Sequence, residues 1–148
     1  MNENKKSFGV LIDSEFKGVA PVEVVGRFNG EYYSHLKDLR EVINCRCVDY
    51  LQLGTVCGGK YALDMWYDDE FLLKCEPGEL RTGFVVNGRE FIGNAVIMAS
   101  NLETGETIGL EEVWEDIDYV NFVIDVVRKA VRFKDVCAKE PKFEFVSF

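Results

Sequence analysis

Two glycine-bearing turn pairs, Gly58-Gly59 and Asn87-Gly88, each separate runs rich in β-branched and aromatic residues. Strands joined through so short a turn run antiparallel, so this punctuation commits much of the chain to antiparallel sheet. Residues 47–54 (CVDYLQLG) alternate apolar and polar side chains like a half-buried strand. Residues 60–69 follow, with Tyr61, Leu63, Met65 and Tyr67 on one face. Residues 83–88 and 91–100 read as two more strands around Asn87-Gly88. Upstream, residues 8–13 (FGVLID) and 20–28 (APVEVVGRF) read as strands, with Pro21 near the start of the second, where a missing N–H is tolerated. Asn29-Gly30 marks a turn, NLETGET is polar turn chemistry, and residues 68–80 (DDEFLLKCEPGEL) read as a loop ending at Pro77-Gly78. After Pro141, KFEFVSF alternates like a last strand that needs a sheet edge or a second chain to pair with.

Two segments carry helical periodicity. Ser34 reads as an N-cap, and Leu36, Leu39, Val42 and Ile43 give a short apolar face ending near Asn44. Val113, Ile117, Val120, Ile124, Val127 and Val131 step by four and three, and Trp114, Phe122, Val126, Ala130 and Phe133 widen the stripe. Acids lie at the start of this segment and Arg128, Lys129, Arg132 and Lys134 at its end, which suits the helix dipole. The expectation is an α+β fold: one twisted, mostly antiparallel sheet packed against a long helix over residues 110–133, plus a short helix over 34–44. A length of 148 residues fits a single domain, 1–148.

The net charge is −9, and its placement is local. From residue 90 to 127 there are nine acids and no Lys or Arg. Such a balance argues against direct contact with nucleic-acid phosphates or an anionic membrane. No apolar run reaches the roughly 20 residues of a membrane span, and residues 1–7 are polar, so a cytoplasmic protein is expected. Five cysteines, an odd number, fit reduced thiols. Cys45, Cys47, Cys57 and Cys75 lack the paired spacing of a structural zinc site, and no metal or cofactor is expected.

Motifs for catalysis are missing. The single His35 stands beside the cap candidate Ser34, and there is no nucleophile elbow, zincin helix or Walker loop, so the chain reads as a non-enzyme. Two binding surfaces suggest themselves. Glu111, Glu112, Glu115, Asp116 and Asp118, with Asp68, Asp69 and Glu70, form carboxylate groups that could stand in for phosphates against a basic partner. Alternatively, Arg27, Arg81 and Arg89 could line an anion pocket in which Phe84 or Phe91 stacks a base.

The centre of the chain resembles a small family of uncharacterised domains carried by bacteriophages, plasmids and conjugative elements. The features, in order, are HLKDLREVINC, CVDYLQLG, GKYALDMWYDDEFLLKCEP, REFIGNAVIMASNLETGETIGL and EEVWEDIDYV, and the resemblance spans roughly residues 34–122. The chain departs from the family at Val48-Asp49-Tyr50, which replaces a glycine-containing version. It also carries Asp68-Asp69-Glu70 where the family has Asn-Glu-Glu, and CEPGELRTG for a Pro-Pro-Asn-Arg stretch. The resemblance implies a mobile-element origin, and small proteins of such elements often counter host defences. The expected function is therefore an anti-defence protein, resembling an anti-CRISPR, that blocks the basic nucleic-acid channel of a host enzyme with its acidic helix. The alternative is a module that sequesters a small anionic signalling nucleotide. A homodimer is expected in either case, since the last strand and the aromatic content supply surface to bury.

Overall fold

A computed structural model describes residues 4–70, 76, 78–114 and 116–137. The architecture is mostly β, with two antiparallel sheets and two short helices. In the larger sheet the strands lie in the order β3 (Tyr33–Ser34), β2 (Gly18–Phe28), β1 (Lys5–Asp13), β8 (Ala95–Asn101), β5 (Tyr61–Asp68) and β4 (Val48–Val56). A two-residue strand, β9 (Thr107–Ile108), also pairs with β8. The smaller sheet has the order β10 (Arg132–Cys137), β6 (Leu80–Val86), β7 (Arg89–Ile92). Helix α1 (Leu36–Ile43) covers one face of the large sheet. Helix α2 (Tyr119–Ala130) and the small sheet cover the other.

Antiparallel pairing follows the turns as the sequence indicates. Asn87 and Gly88 both take positive φ, 50° and 74°, as the tight β6–β7 turn requires. β5 has apolar neighbours on both sides. Met65 and Tyr67 point into the core under α2, while Trp66 points into a second core formed with Val24, Leu39, Ile43, Val96 and Met98.

The expected α+β arrangement, one sheet against a long helix over 110–133, is incorrect in three places. First, Leu110–Glu112 is a 3₁₀ turn, because its side chains bond to β1 and to the turn's own entry instead of continuing a helix. Second, α2 begins only after Asp118, whose carboxylate accepts from the backbone N–H of Asn121 at 3.2 Å and its side-chain amide at 2.6 Å. Third, Val131 is extended, and the chain leaves α2 to form β10, which places Phe133 opposite Phe84. Tertiary pairing overrides the helical period there, and residues 132–136 combine β-branched and aromatic positions that a strand accepts equally well. The run 91–100 is likewise two strands in different sheets, broken at Gly93 with φ of 87°. Ser34 lies in β3 opposite Arg27, and His35 takes the N-cap position of α1 without a side-chain cap bond. The end at Asn44 is as expected, in the left-handed region with φ of 62°. The strand expected over residues 142–148 lies outside the described residues, as do residues 71–75 and 77 of the expected 68–80 loop.

Candidate functional site

The large sheet carries a depression on each face. The larger is an apolar cleft of about 410 Å³ between α2 and the sheet. Its floor is Ile12, Met65 and Ile97 from three central strands. One wall is the end of β4, residues 53–56, and the opposite wall is α2 through Tyr119, Val123 and Val127. Helix α2 packs on the core through Val123, Ile124 and Val127, and Arg128 Nη2 donates to the Val19 carbonyl at 3.2 Å near its finish. Phe122 and Val126, one turn apart, form the rim and stay 54% and 49% exposed. Polar groups are few: Thr55, Asn87 and Tyr119. Burial pushes the Tyr119 phenol up from its usual range, with the nearby Cys57 thiol adding to the effect, so it stays a neutral donor.

The second depression, about 250 Å³, lies beside the start of α1 and is lined by Tyr33, His35, Trp66 and the turn at 104–107. Ser7 Oγ and His35 Nε2 stand 2.8 Å apart, and both residues are buried. Gly26 makes room for the imidazole, since a Cβ there would lie 2.8 Å from His35 Nε2. Burial holds the imidazole below its ordinary pKa, helped by Lys5 and opposed by Glu112 and Asp38. His35 Nδ1 and Trp66 Nε1 have no protein partner. On the same face of β5, burial raises the Asp64 carboxyl, partly offset by a hydrogen bond from Ser100. The Ser7–His35 contact escaped the sequence reading because the two residues are 28 positions apart and no motif links them.

The acidic run does not form one surface. Glu111 folds back on β1, accepting from the Phe8 backbone N–H at 3.1 Å, and burial raises its carboxyl. Glu112 pairs with Lys5 Nζ at 2.6 Å and also accepts from the Gly109 N–H. Asp118 is occupied as the α2 cap, and Asp116 is exposed. Glu115 lies outside the described residues. The second acidic group is at the end of β5. Asp68 is buried and accepts from the Glu70 N–H, Asp69 is exposed, and Glu70 forms a two-pronged pair with Arg46 at 2.6 and 3.1 Å.

The basic expectation also disperses. Arg27 pairs with Asp38 at 3.4 Å beside α1. Arg81, paired with Glu79 at 3.5 Å, shares a shallow depression with Asp68 and Asn94. Arg89 lies over the rings of Tyr67 and Phe91 at 5.5 and 5.0 Å. Phe84 and Phe91 are not open to a base, because they stack on each other at 5.3 Å inside the core. Among the described residues no group of three or more His, Cys, Asp or Glu side chains could hold a metal ion, and no helix is long and apolar enough to cross a membrane. Cys75 lies outside the described residues.

In comparisons with known proteins, the chain matches no family model, no curated protein and no solved structure.

Proposed function

We propose that this protein is a non-catalytic binding module that takes a small, uncharged, largely apolar ligand in the cleft between α2 and the large sheet. The observation that carries the reading is the cleft itself. Its volume of about 410 Å³ falls within the range of small-molecule sites, and its floor reaches the fully buried Met65 and Ile12. A small apolar site with a few polar groups is the common form of a ligand pocket, and Tyr119, Thr55 and Asn87 supply hydrogen bonds to orient one polar end. Among the described residues no charged side chain lines the cleft, which favours a neutral ligand over an anionic nucleotide. Ser7 beside His35 supports no hydrolytic role, since the serine has no exposure to a substrate.

The inhibitor reading, an acidic surface set against a basic host channel, keeps its support from the net charge of −9 and from the exposed Asp116 and Asp125. It is the weaker of the two because Glu111, Glu112 and Asp118 are engaged within the chain.

Titration with the neutral fluorophore N-phenyl-1-naphthylamine tests the cleft. Saturable one-to-one binding is expected in the wild type. Ala130→Trp should weaken it at least tenfold, since Ala130 lines the cleft from the exposed side of α2, where a larger side chain does not disturb the core. No saturable binding, or equal binding by the folded variant, refutes the reading.

A further inference from the structure

We propose that β4 is the pairing edge of a two-fold homodimer, in which two copies join their large sheets through antiparallel β4 strands centred on Tyr50. β4 is the terminal strand of the large sheet, and among the described residues no strand pairs with its outer side, where the Tyr50 N–H donates to Asp49 Oδ1 at 2.8 Å. The other edges are guarded. β3 is two residues long and leaves most of β2 beyond it, but β2 carries Pro21 and Glu23 and is tied by Asp38 to its Val25 N–H and by Arg128 to its Val19 carbonyl; β7 carries Arg89 and Glu90, and β10 carries Arg132, Lys134 and Asp135. Proteins blunt sheet edges with short strands and with charges of this kind. β4 spans nine residues with no Pro, Lys or Arg, and Asp49 is its one charge. A bulge falls between Gln52 and Gly54, so the regular run is residues 48–52.

The hydrogen-bond phase of this run follows from a single contact. The Asp69 N–H donates to the Cys47 carbonyl at 3.0 Å, which makes Cys47 and Asp69 a bonded pair in the β4–β5 ladder. Bonded and non-bonded pairs alternate along an antiparallel ladder. Asp49 and Leu51 therefore bond to β5, and Val48, Tyr50 and Gln52 present their N–H and C=O groups outward. The close approach of the Tyr50 and Trp66 rings, 4.9 Å between centroids, agrees with a non-bonded pair, where cross-strand side chains lie nearest.

The occupant that fits this edge is a second copy of it. A two-fold axis at Tyr50 sets Tyr50 opposite its own copy and Val48 opposite Gln52 of the second copy. Every outward N–H and C=O of the run is then matched, the Tyr50 N–H exchanging the Asp49 carboxylate of its own chain for the carbonyl of the second copy. Asp49 faces Leu51 across the axis, so the one charge avoids its like. Tyr50, 51% exposed, meets its counterpart and extends the Tyr50–Trp66 contact into an aromatic row through the interface. This differs from the dimer the sequence suggests, which relies on the last strand.

Sedimentation equilibrium over a hundredfold concentration range tests the inference, together with amide hydrogen exchange at both ends of that range. The wild type should dimerise, with the Val48 and Gln52 amides slowed only at high concentration. Tyr50→Pro removes an outward N–H while leaving the β5 ladder intact, and should be monomeric with an unchanged far-UV spectrum. If that variant fails to fold, Gln52→Lys decides: an edge ammonium should raise the dimer dissociation constant at least tenfold. A wild type that stays monomeric overturns the proposal. So does equal exchange of the Val48 and Gln52 amides at both concentrations, or a folded Gln52→Lys variant that dimerises as tightly as the wild type.

Discussion

Ile124→Ala should destabilise the protein by about 2–4 kcal/mol, while Val126→Ala, two positions along the same helix, should be close to neutral. Ile124 is 3% exposed and packs in the main core, and it does not line the cleft. Removing its three outer carbons forfeits about 2.4 kcal/mol at roughly 0.8 per methylene. The void left behind adds to this, giving the range of about 2–5 kcal/mol found for such truncations. The greater helix propensity of alanine returns about 0.5 kcal/mol. Val126 loses two carbons from a side chain already half in water, about 0.8 kcal/mol, and the same propensity gain nearly cancels it. Urea unfolding followed by far-UV circular dichroism measures both, with an unchanged slope expected. The measurement belongs at several protein concentrations, because a dimer makes apparent stability depend on concentration. Equal effects for the two variants, or a loss below about 1 kcal/mol for Ile124→Ala, would refute the packing of α2 described above.

Asp118→Ala should cost about 0.5–2 kcal/mol through loss of the α2 cap, read from the same urea curves. His35 has a folded-state pKa below its ordinary 6.5, so the unfolded chain binds the extra proton and stability falls as pH drops through 6.5 toward the folded value. His35→Gln should remove that loss, seen as a smaller stability difference between pH 7.5 and pH 5.5 than in the wild type. Asp64 has the opposite sign: its raised pKa means stability falls as pH rises above the ordinary 3.8 toward the folded value, and Asp64→Asn should flatten that part of the profile. Gly26→Val should displace the imidazole and lower the melting temperature, because its Cβ would fall 2.8 Å from His35 Nε2.

The amino-acid sequence by itself determined the local grammar of this fold. Turn pairs such as Asn87-Gly88 need positive φ whatever surrounds them, and β-branched runs between such turns pair as antiparallel strands. The short helix and its stop at Asn44 are legible for the same reason, since a left-handed C-cap is a property of a few residues. What the sequence left open is decided between distant parts of the chain. The stripe from Val113 to Val131 has helical spacing throughout, yet only Tyr119–Ala130 is α-helix. Bonds from Lys5 and the Phe8 N–H to Glu112 and Glu111 hold its beginning in a 3₁₀ turn, and the edge of β6 draws its end into a strand. The same long-range partners absorb Glu111 and Glu112, two of the carboxylates that looked like a surface, and the core absorbs Phe84 and Phe91. The cleft depends on the separation between α2 and the sheet, which no spacing of residues encodes. Its one trace in the sequence is that the apolar stripe, with Phe122 and Val126, is wider than the sheet beneath it can bury.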